Sequence, residues 1–184
     1  DGTRWTLLGA AAPGTARAVV DWNGTLVAAF STGVATWNGT QWQPIAGPAN
    51  VRSLAVFNNE LVVGGSFTSI GGTPAANIAK WNGSTWSALG AGIGGTCNVM
   101  RVFQNVLWIG GSFSSAGGAV AGNLAIWNGG AWVAAPTTNG GVWAMAPRVG
   151  TSLTQTFLFV GGDFTTIAGV AAQHVARYSP SAGT

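Results

Sequence analysis

One motif recurs along the chain and constrains its fold more than any other feature. It spans residues 61–89 and contains an apolar run, a glycine pair, a Ser/Thr/Gly-rich loop, a second apolar run and a final tryptophan. It returns at residues 107–135, again from Leu158, and in shortened form at residues 26–45. Repeats about 45 to 50 residues long build stacked architectures, so the chain is expected to fold from four similar units.

Each full repeat resolves into four short strands. In the second repeat the strands are predicted at residues 51–57, 60–65, 77–81 and 85–89, with a turn at 58–59. Short, evenly spaced strands with turn signals between them predict an all-β fold. An Asn-Gly pair follows the third strand three times, and this pair favours a type I′ hairpin because both residues tolerate positive φ. The three pairs begin at Asn38, Asn82 and Asn128.

A β-propeller closed by its own N-terminus is the expected arrangement of these repeats. The repeats cover residues 16–45, 51–89, 97–135 and 142–178, and the last one lacks its fourth strand. Residues 1–8 match that missing strand, and joining the two ends would remove exposed sheet edges. We therefore expect a single domain over residues 1–184 with about four four-stranded blades. Two alternatives stay open: a slice of a longer array, or two copies that complete a larger ring.

Aromatic residues and glycines also follow the repeat. Eight aromatics hold two fixed positions, which predicts that they pack between the units. They are Trp37, Trp81, Trp127 and Tyr178 at the end of the third strand, and Trp5, Trp42, Trp86 and Trp132 at the start of the fourth. Glycine pairs at 64–65, 110–111 and 161–162 end the second strand, where glycine marks a bend or the close approach of another backbone. Trp108, inside a second strand, is expected to fill the core.

Composition narrows the class of protein and of partner. Hydrophobic residues make up 47% of the 184 residues and charged residues only 6%, which excludes ordinary disorder. No apolar run reaches the roughly 20 residues that span a bilayer, so no membrane span is expected. The net charge of +3 comes from seven scattered basic residues. Phosphate binding needs several cations on one face, so nucleic acid is not an expected partner.

Catalytic and metal sites are not expected. The acids Asp1, Asp21, Glu60 and Asp163 are far apart in sequence, whereas glycoside hydrolysis needs two carboxylates flanking one bond. The single histidine has neither an activated nucleophile nor a second metal ligand beside it. The single cysteine, Cys97, falls at an apolar position and is expected to be a buried thiol. We therefore expect no enzyme, no metal and no cofactor.

Candidate binding residues are those that break the repeat on one face of the fold. That face carries the starts of the first strands and the loops between the second and third strands. Large polar or aromatic side chains around one axis suit a planar or polyhydroxylated ligand. The first strands contribute Arg17, Arg52, Asn98 and Trp143, and the loops contribute Asp163 and His174. The alternative is that these six are solvated residues with local hydrogen bonds.

The motif Gly-Gly-x-Phe, a Gly-rich loop and Ile-Ala-x-Trp-Asn-Gly-x-x-Trp resembles the repeats of large secreted bacterial β-propeller proteins. It is also similar to kelch-like and fungal cortical-marker propellers. The first repeat departs from the pattern, with Phe30-Ser31-Thr32 in place of Gly-Gly-Ser-Phe. The resemblance implies an extracellular or cell-surface location and a role in binding or scaffolding. We expect an extracellular structural or adhesive module that binds other proteins or copies of itself, with a lectin-like, carbohydrate-binding propeller as the alternative.

Overall fold

Antiparallel sheets make up the protein, which confirms the predicted all-β class. The computed structural model describes residues 4–9, 12–47, 49–151 and 156–180. None of these residues is helical, and so none belongs to a helix able to cross a membrane. The strands in chain order are β1 (Ala16–Trp22), β2 (Thr25–Phe30), β3 (Gly33–Trp37), β4 (Trp42–Ala46), β5 (Asn50–Phe57), β6 (Glu60–Ser66), β7 (Ser69–Ile70), β8 (Thr73–Pro74), β9 (Ile78–Trp81), β10 (Trp86–Ala88), β11 (Ile93–Phe103), β12 (Val106–Ala116), β13 (Ala119–Val120), β14 (Leu124–Trp127), β15 (Trp132–Val133), β16 (Val142–Arg148), β17 (Phe157–Gly162), β18 (Thr166–Ile167), β19 (Val170–Ala171) and β20 (Val175–Tyr178).

The larger sheets are meanders, in which each strand pairs with the strand before it. Sheet 1 contains β1 to β4, sheet 2 contains β5, β6, β9 and β10, sheet 3 contains β11, β12, β14 and β15, and sheet 4 contains β16, β17 and β20. Strand β13 pairs with β12, and the hairpins β7–β8 and β18–β19 lie in the loops between second and third strands. The four strands predicted for the second repeat are therefore present as sheet 2.

The turn between the third and fourth strands differs from the predicted type I′. In sheet 2 it covers residues 82–85, and only Gly83 in the Asn-Gly pair has positive φ, at +104°. The side chain of Asn82 instead accepts hydrogen bonds from the backbone N–H groups of Ser84 and Thr85, both at 2.9 Å. The hairpin was predicted correctly and its turn type was wrong, because the asparagine side chain takes the place of a backbone turn.

The sheets stack face to face in chain order, with their first strands side by side. Strand β1 contacts β5, β5 contacts β11, and β11 contacts β16. Because successive strand residues point to opposite faces, each sheet contributes to two apolar layers. Leu107 packs with residues of sheet 2, whereas its neighbour Trp108, only 4% exposed, packs with residues of sheet 4. The core therefore lies between the sheets, as in the blades of a propeller.

The periodic aromatics pair within a sheet, and Trp86 also contacts the preceding sheet. Trp86 is 8% exposed, and its Nε1 donates a hydrogen bond to the carbonyl of Ile45 in sheet 1, at 3.1 Å. The predicted packing between units is therefore confirmed for this tryptophan. The ring pairs are Trp37–Trp42 at 5.4 Å, Trp81–Trp86 at 5.0 Å and Trp127–Trp132 at 5.3 Å between centroids.

The glycine pairs serve two different close approaches. A Cβ at Gly110 would meet the side chain of Val142 in the next sheet, and a Cβ at Gly111 would overlap the backbone carbonyl of Thr96 on β11. The first glycine therefore admits the neighbouring sheet and the second admits the neighbouring strand, which confirms the predicted close approach.

Closure of the ring by the N-terminal strand is not confirmed. Residues 4–8 form no strand, Trp5 is fully exposed, and residues 1–3 lie outside the described part of the chain. Sheet 4 accordingly has three strands with β20 at its edge. The N-terminal segment leaves Gly9 against the ring of Trp37. The end of the N-terminal segment therefore lies beside sheet 1, at the other end of the stack from β20.

Candidate functional site

The four predicted site residues on the first strands occupy one equivalent position, and that position is a β-bulge in each of sheets 1 to 4. The pairing between first and second strand shifts by one residue at this point. The bulged residues are Arg17, Arg52, Asn98 and Trp143. A bulge adds an unpaired residue and re-aims its side chain, so these residues leave the apolar layers of the core. The sequence showed their departure from the apolar pattern but not the bulge that causes it.

Three of the bulged residues hydrogen-bond to the next sheet in the stack. Arg17 Nη1 donates to the side chain of Asn50, at the start of β5. Arg52 Nη1 donates to Asn98 Oδ1 at 3.2 Å, and Asn98 Nδ2 donates to the carbonyl of Val142 at 3.2 Å. The chain of hydrogen bonds runs from sheet 1 to sheet 2 and from sheet 2 through sheet 3 to sheet 4. Arg52 and Asn98 therefore help to hold neighbouring sheets together, whether or not a ligand also contacts them.

Asn98→Ala is expected to lower the free energy of unfolding by about 1–3 kcal/mol, because it leaves Arg52 and the Val142 carbonyl without this partner. Trp143→Ala, at the equivalent bulge, is the matched control. Trp143 is 49% exposed and its hydrogen bond to Asp163 lies at the surface, so its replacement should lower the free energy of unfolding by less, by no more than about 1 kcal/mol. Urea denaturation of both variants measures the difference. Equal losses would show that the hydrogen bonds of Asn98 contribute nothing specific.

The fourth bulged residue forms an exposed pair with a loop residue of the same sheet. Trp143 Nε1 donates a hydrogen bond to Asp163 Oδ2 at 2.6 Å. A charged acceptor makes this a strong hydrogen bond, and it fixes the direction of an indole ring that is half exposed. An oriented, accessible indole offers an apolar face for stacking beside a carboxylate that can accept hydrogen bonds. The structure thus brings Trp143 and Asp163 together.

His174 occupies a position where the two preceding sheets have asparagine. His174, Asn77 and Asn123 all have positive φ, at 73°, 65° and 65°. Asn77 accepts a hydrogen bond from its own loop at 2.9 Å and donates one to the Ile93 carbonyl, at the start of sheet 3, at 2.8 Å. His174 Nδ1 instead lies 3.2 Å from the Gly162 carbonyl. The hydrogen bonds described for His174 and Asp163 therefore go to different partners and do not join the two side chains.

Each acid in the described part of the chain has its own local partner. Asp21 accepts from the Gly24 backbone N–H at 3.0 Å, and Glu60 pairs with Lys80 Nζ at 2.8 Å. These two acids lie at the turn between first and second strands, away from the bulges. Burial raises the pKa of the Cys97 thiol to about 12, so it stays protonated at neutral pH. Among the described residues no three His, Cys, Asp or Glu side chains are grouped closely enough to hold a metal ion.

Comparison with protein families agrees with the architecture. A family model described as a β-propeller domain of unknown function (DUF5122) matches residues 58–83 and 158–184. A search of curated proteins found no match. The first matched segment runs from the turn before β6 to the turn after β9, and the second begins within β17. With its antiparallel sheets stacked in chain order, the chain is a β-propeller repeat protein.

Proposed function

We propose that this protein is an extracellular structural or adhesive module that supplies four propeller blades and binds other proteins or copies of itself. Exposed apolar side chains at the two ends of the sheet stack carry the proposal. Val19 in sheet 1 and Val175 in sheet 4 are each 64% exposed, and Phe159 in sheet 4 is 36% exposed. Apolar patches of this kind mark interaction sites on protein surfaces.

The low charge of the chain supports the same function. Only 6% of residues are charged, against about 25% in typical soluble domains. Several charged groups are also engaged within the protein: Lys80 with Glu60, Arg17 with Asn50, and Arg177 over the Phe157 ring at 4.5 Å. A partner would therefore meet mainly apolar and uncharged polar groups, which suits protein–protein packing better than nucleic-acid binding. The extracellular location rests on the resemblance of the repeats to those of secreted bacterial propellers.

We also propose that the module is not an enzyme and needs no cofactor or metal. The described acids support this view because each bonds to a local partner. They also lie at opposite ends of the sheets: Asp163 is near the β-bulges, whereas Asp21 and Glu60 are near the turns between first and second strands. Two cooperating carboxylates would have to lie on either side of one bond.

A lectin-like activity is the second candidate, and the Trp143–Asp163 pair favours it. A fixed indole face beside a carboxylate is suited to stacking on a sugar ring while accepting hydrogen bonds from its hydroxyls. The exposed side chain of His174 lies in the same loop region of sheet 4 and adds a further polar group.

Mass in solution and a glycan array together test both candidates. If the protein is an assembly module, its mass should rise with concentration and should not fall in about 1 M salt, because few charges contribute to the contact. If it is a lectin, the parent should bind glycans and Trp143→Ala should lose that signal while remaining folded. A parent protein that stays monomeric and binds no glycan would contradict both candidates.

A further inference from the structure

A cavity of about 140 Å³ lies between sheets 3 and 4. Pro136, Ala168 and Tyr178 line it, together with Trp108. The indole N–H of Trp108 is buried and has no hydrogen-bond partner among the described residues. The cavity therefore has mainly apolar walls, and it lies at the edge of sheet 4, which has three strands among the described residues.

The equivalent place between sheets 2 and 3 is filled by a tryptophan. Pro136, Ala168 and Tyr178 correspond in the repeat to Gly90, Gly117 and Trp127. A Cβ placed at either glycine would meet the ring of Trp132, and that ring also packs on Trp127. Trp132 opens the fourth strand of sheet 3, so the cavity is where the fourth-strand tryptophan of sheet 4 belongs.

The N-terminal segment, residues 4–9, carries a tryptophan of this kind. Residues 2–8, Gly-Thr-Arg-Trp-Thr-Leu-Leu, match residues 83–89, Gly-Ser-Thr-Trp-Ser-Ala-Leu, and Trp5 is fully exposed. Gly9 at φ +80° lies against Trp37 as Gly90 at φ +57° lies against Trp127, and a Cβ placed on each glycine would be 3.1 and 3.2 Å from the respective ring. The segment thus reaches sheet 1 at Gly9, the position that follows the fourth strand of a preceding sheet, while residues 4–8 are exposed.

Sheet 4 packs on sheet 3 with one face, and its opposite face, which carries Phe157, Phe159 and Arg177, is called its end face. This end face is suited to packing against a further sheet. Strand pairing places Phe159 opposite Arg177 on this face, and Phe157 opposite Arg148. Phe159 corresponds in the repeat to Trp108, which packs on the following sheet. Phe159 is instead 36% exposed, so the described residues of one chain do not cover this face fully.

The end face of sheet 1, which is the face opposite sheet 2, is complementary to the end face of sheet 4. Leu26 corresponds to Leu107, which packs on the preceding sheet, and Val19 on the same face is 64% exposed. Asp21, also on this face, lies near the end of β1, and Arg148 lies at the end of β16 on the end face of sheet 4. The acid on one face and the arginines on the other favour this orientation of the two faces, while the contact itself is mainly apolar.

We propose that the end face of sheet 4 binds the end face of sheet 1 of a second copy, whose N-terminal segment adds to β20 and places its Trp5 in the cavity. Val19 and Val175 are exposed on the two end faces of one chain. A second copy would cover these apolar side chains. One docking geometry would both cover the two end faces and fill the cavity, because Gly9 already places the end of the N-terminal segment against sheet 1. Two such junctions join two copies into a ring of eight sheets, within the usual range for propellers. This inference rests on the proposed function, of which it identifies the partner.

Mixing two single-cysteine variants tests the junction. In sheet 2, Trp86 pairs with Trp81 and Ser87 with Lys80, so Trp5 should pair with Tyr178 and Thr6 with Arg177. When Thr6→Cys protein is mixed with Arg177→Cys protein and oxidised, a disulfide-linked heterodimer should form. Buried Cys97, with its pKa raised to about 12, should not take part. In light scattering, the parent should have twice the 18.5 kDa mass of one chain, and Trp5→Ala should return it to one.

Val120→Cys mixed with Arg177→Cys is the control for random collision, since Val120 is 95% exposed and lies in β13 of sheet 3. This pair should give no more than background cross-linking. The double variant Thr6→Cys with Arg177→Cys tests the alternative, in which the N-terminal segment pairs with β20 of its own chain. That closure would give a cross-linked monomer from the double variant and no heterodimer from the mixture of single variants. That result, or the absence of any specific cross-link, would overturn the proposal. If the parent still self-associates without the cross-link, the proposed function stands and only this junction falls.

Discussion

Trp86→Ala is expected to lower the free energy of unfolding by about 3–5 kcal/mol, the cost of truncating a buried aromatic residue. Trp86 is 8% exposed, its ring lies 5.0 Å from that of Trp81, and its indole N–H bonds to the Ile45 carbonyl of the preceding sheet. The substitution therefore removes a contact within sheet 2 and another between sheets 1 and 2. Equilibrium denaturation in urea measures the loss.

Trp5→Ala is the matched control, because Trp5 has the same position in the repeat but is fully exposed in one chain. When both proteins are diluted until light scattering gives the mass of one chain, this variant should differ from the parent by no more than about 0.5 kcal/mol. A loss below about 1 kcal/mol for Trp86→Ala would contradict a packing role for the periodic tryptophans.

Gly111→Ala should be the second severe substitution, with a loss of about 3 kcal/mol. The added methyl group would overlap the Thr96 carbonyl and come within 3.0 Å of the Phe113 ring. A backbone carbonyl in a sheet cannot move aside as a flexible side chain can. The variant must therefore distort the bulge at Asn98, which sheet 3 uses to reach both of its neighbours.

Gly130→Ala provides the comparison, since a methyl group there would meet only one atom of the described residues within 4 Å, Asn128 Oδ1 at 3.9 Å. Its effect on the free energy of unfolding should stay within about 0.5 kcal/mol. Thermal melts of both variants would measure the difference. Similar melting temperatures for the two would show that the second glycine of the pair is dispensable.

The strands and the sheet stacking were predictable because one apolar pattern is repeated along the chain. A single repeat leaves helix, strand and loop ambiguous, but agreement between residues 61–89 and 107–135 separates the positions fixed by packing from those that vary. Trp108 and the glycine pairs were assigned correctly on that basis. The bulges were not predictable, because one extra residue in a strand changes the register without requiring a special residue type.

The candidate site was predicted as a set of residues but not as a set of contacts. All four first-strand residues depart from the apolar pattern, yet Arg52 and Asn98 bond to each other whereas Trp143 bonds to Asp163. The sequence does not contain the distance between neighbouring sheets, which decides whether a polar side chain reaches the next sheet or faces solvent. The closure of the ring was not confirmed for a related reason: matching strand sequences do not fix which edge a strand joins.

The order of the stack has a consequence for how the protein opens. Sheets 2 and 3 each have an apolar layer on both faces, whereas among the described residues sheets 1 and 4 pack against a neighbouring sheet on one face only. When units contact only their neighbours, stability is a sum of unit and interface terms, so the outer units are lost first. Fraying should therefore proceed inward from both ends, and any contact that covers an end sheet would protect amide hydrogens far from the contact itself.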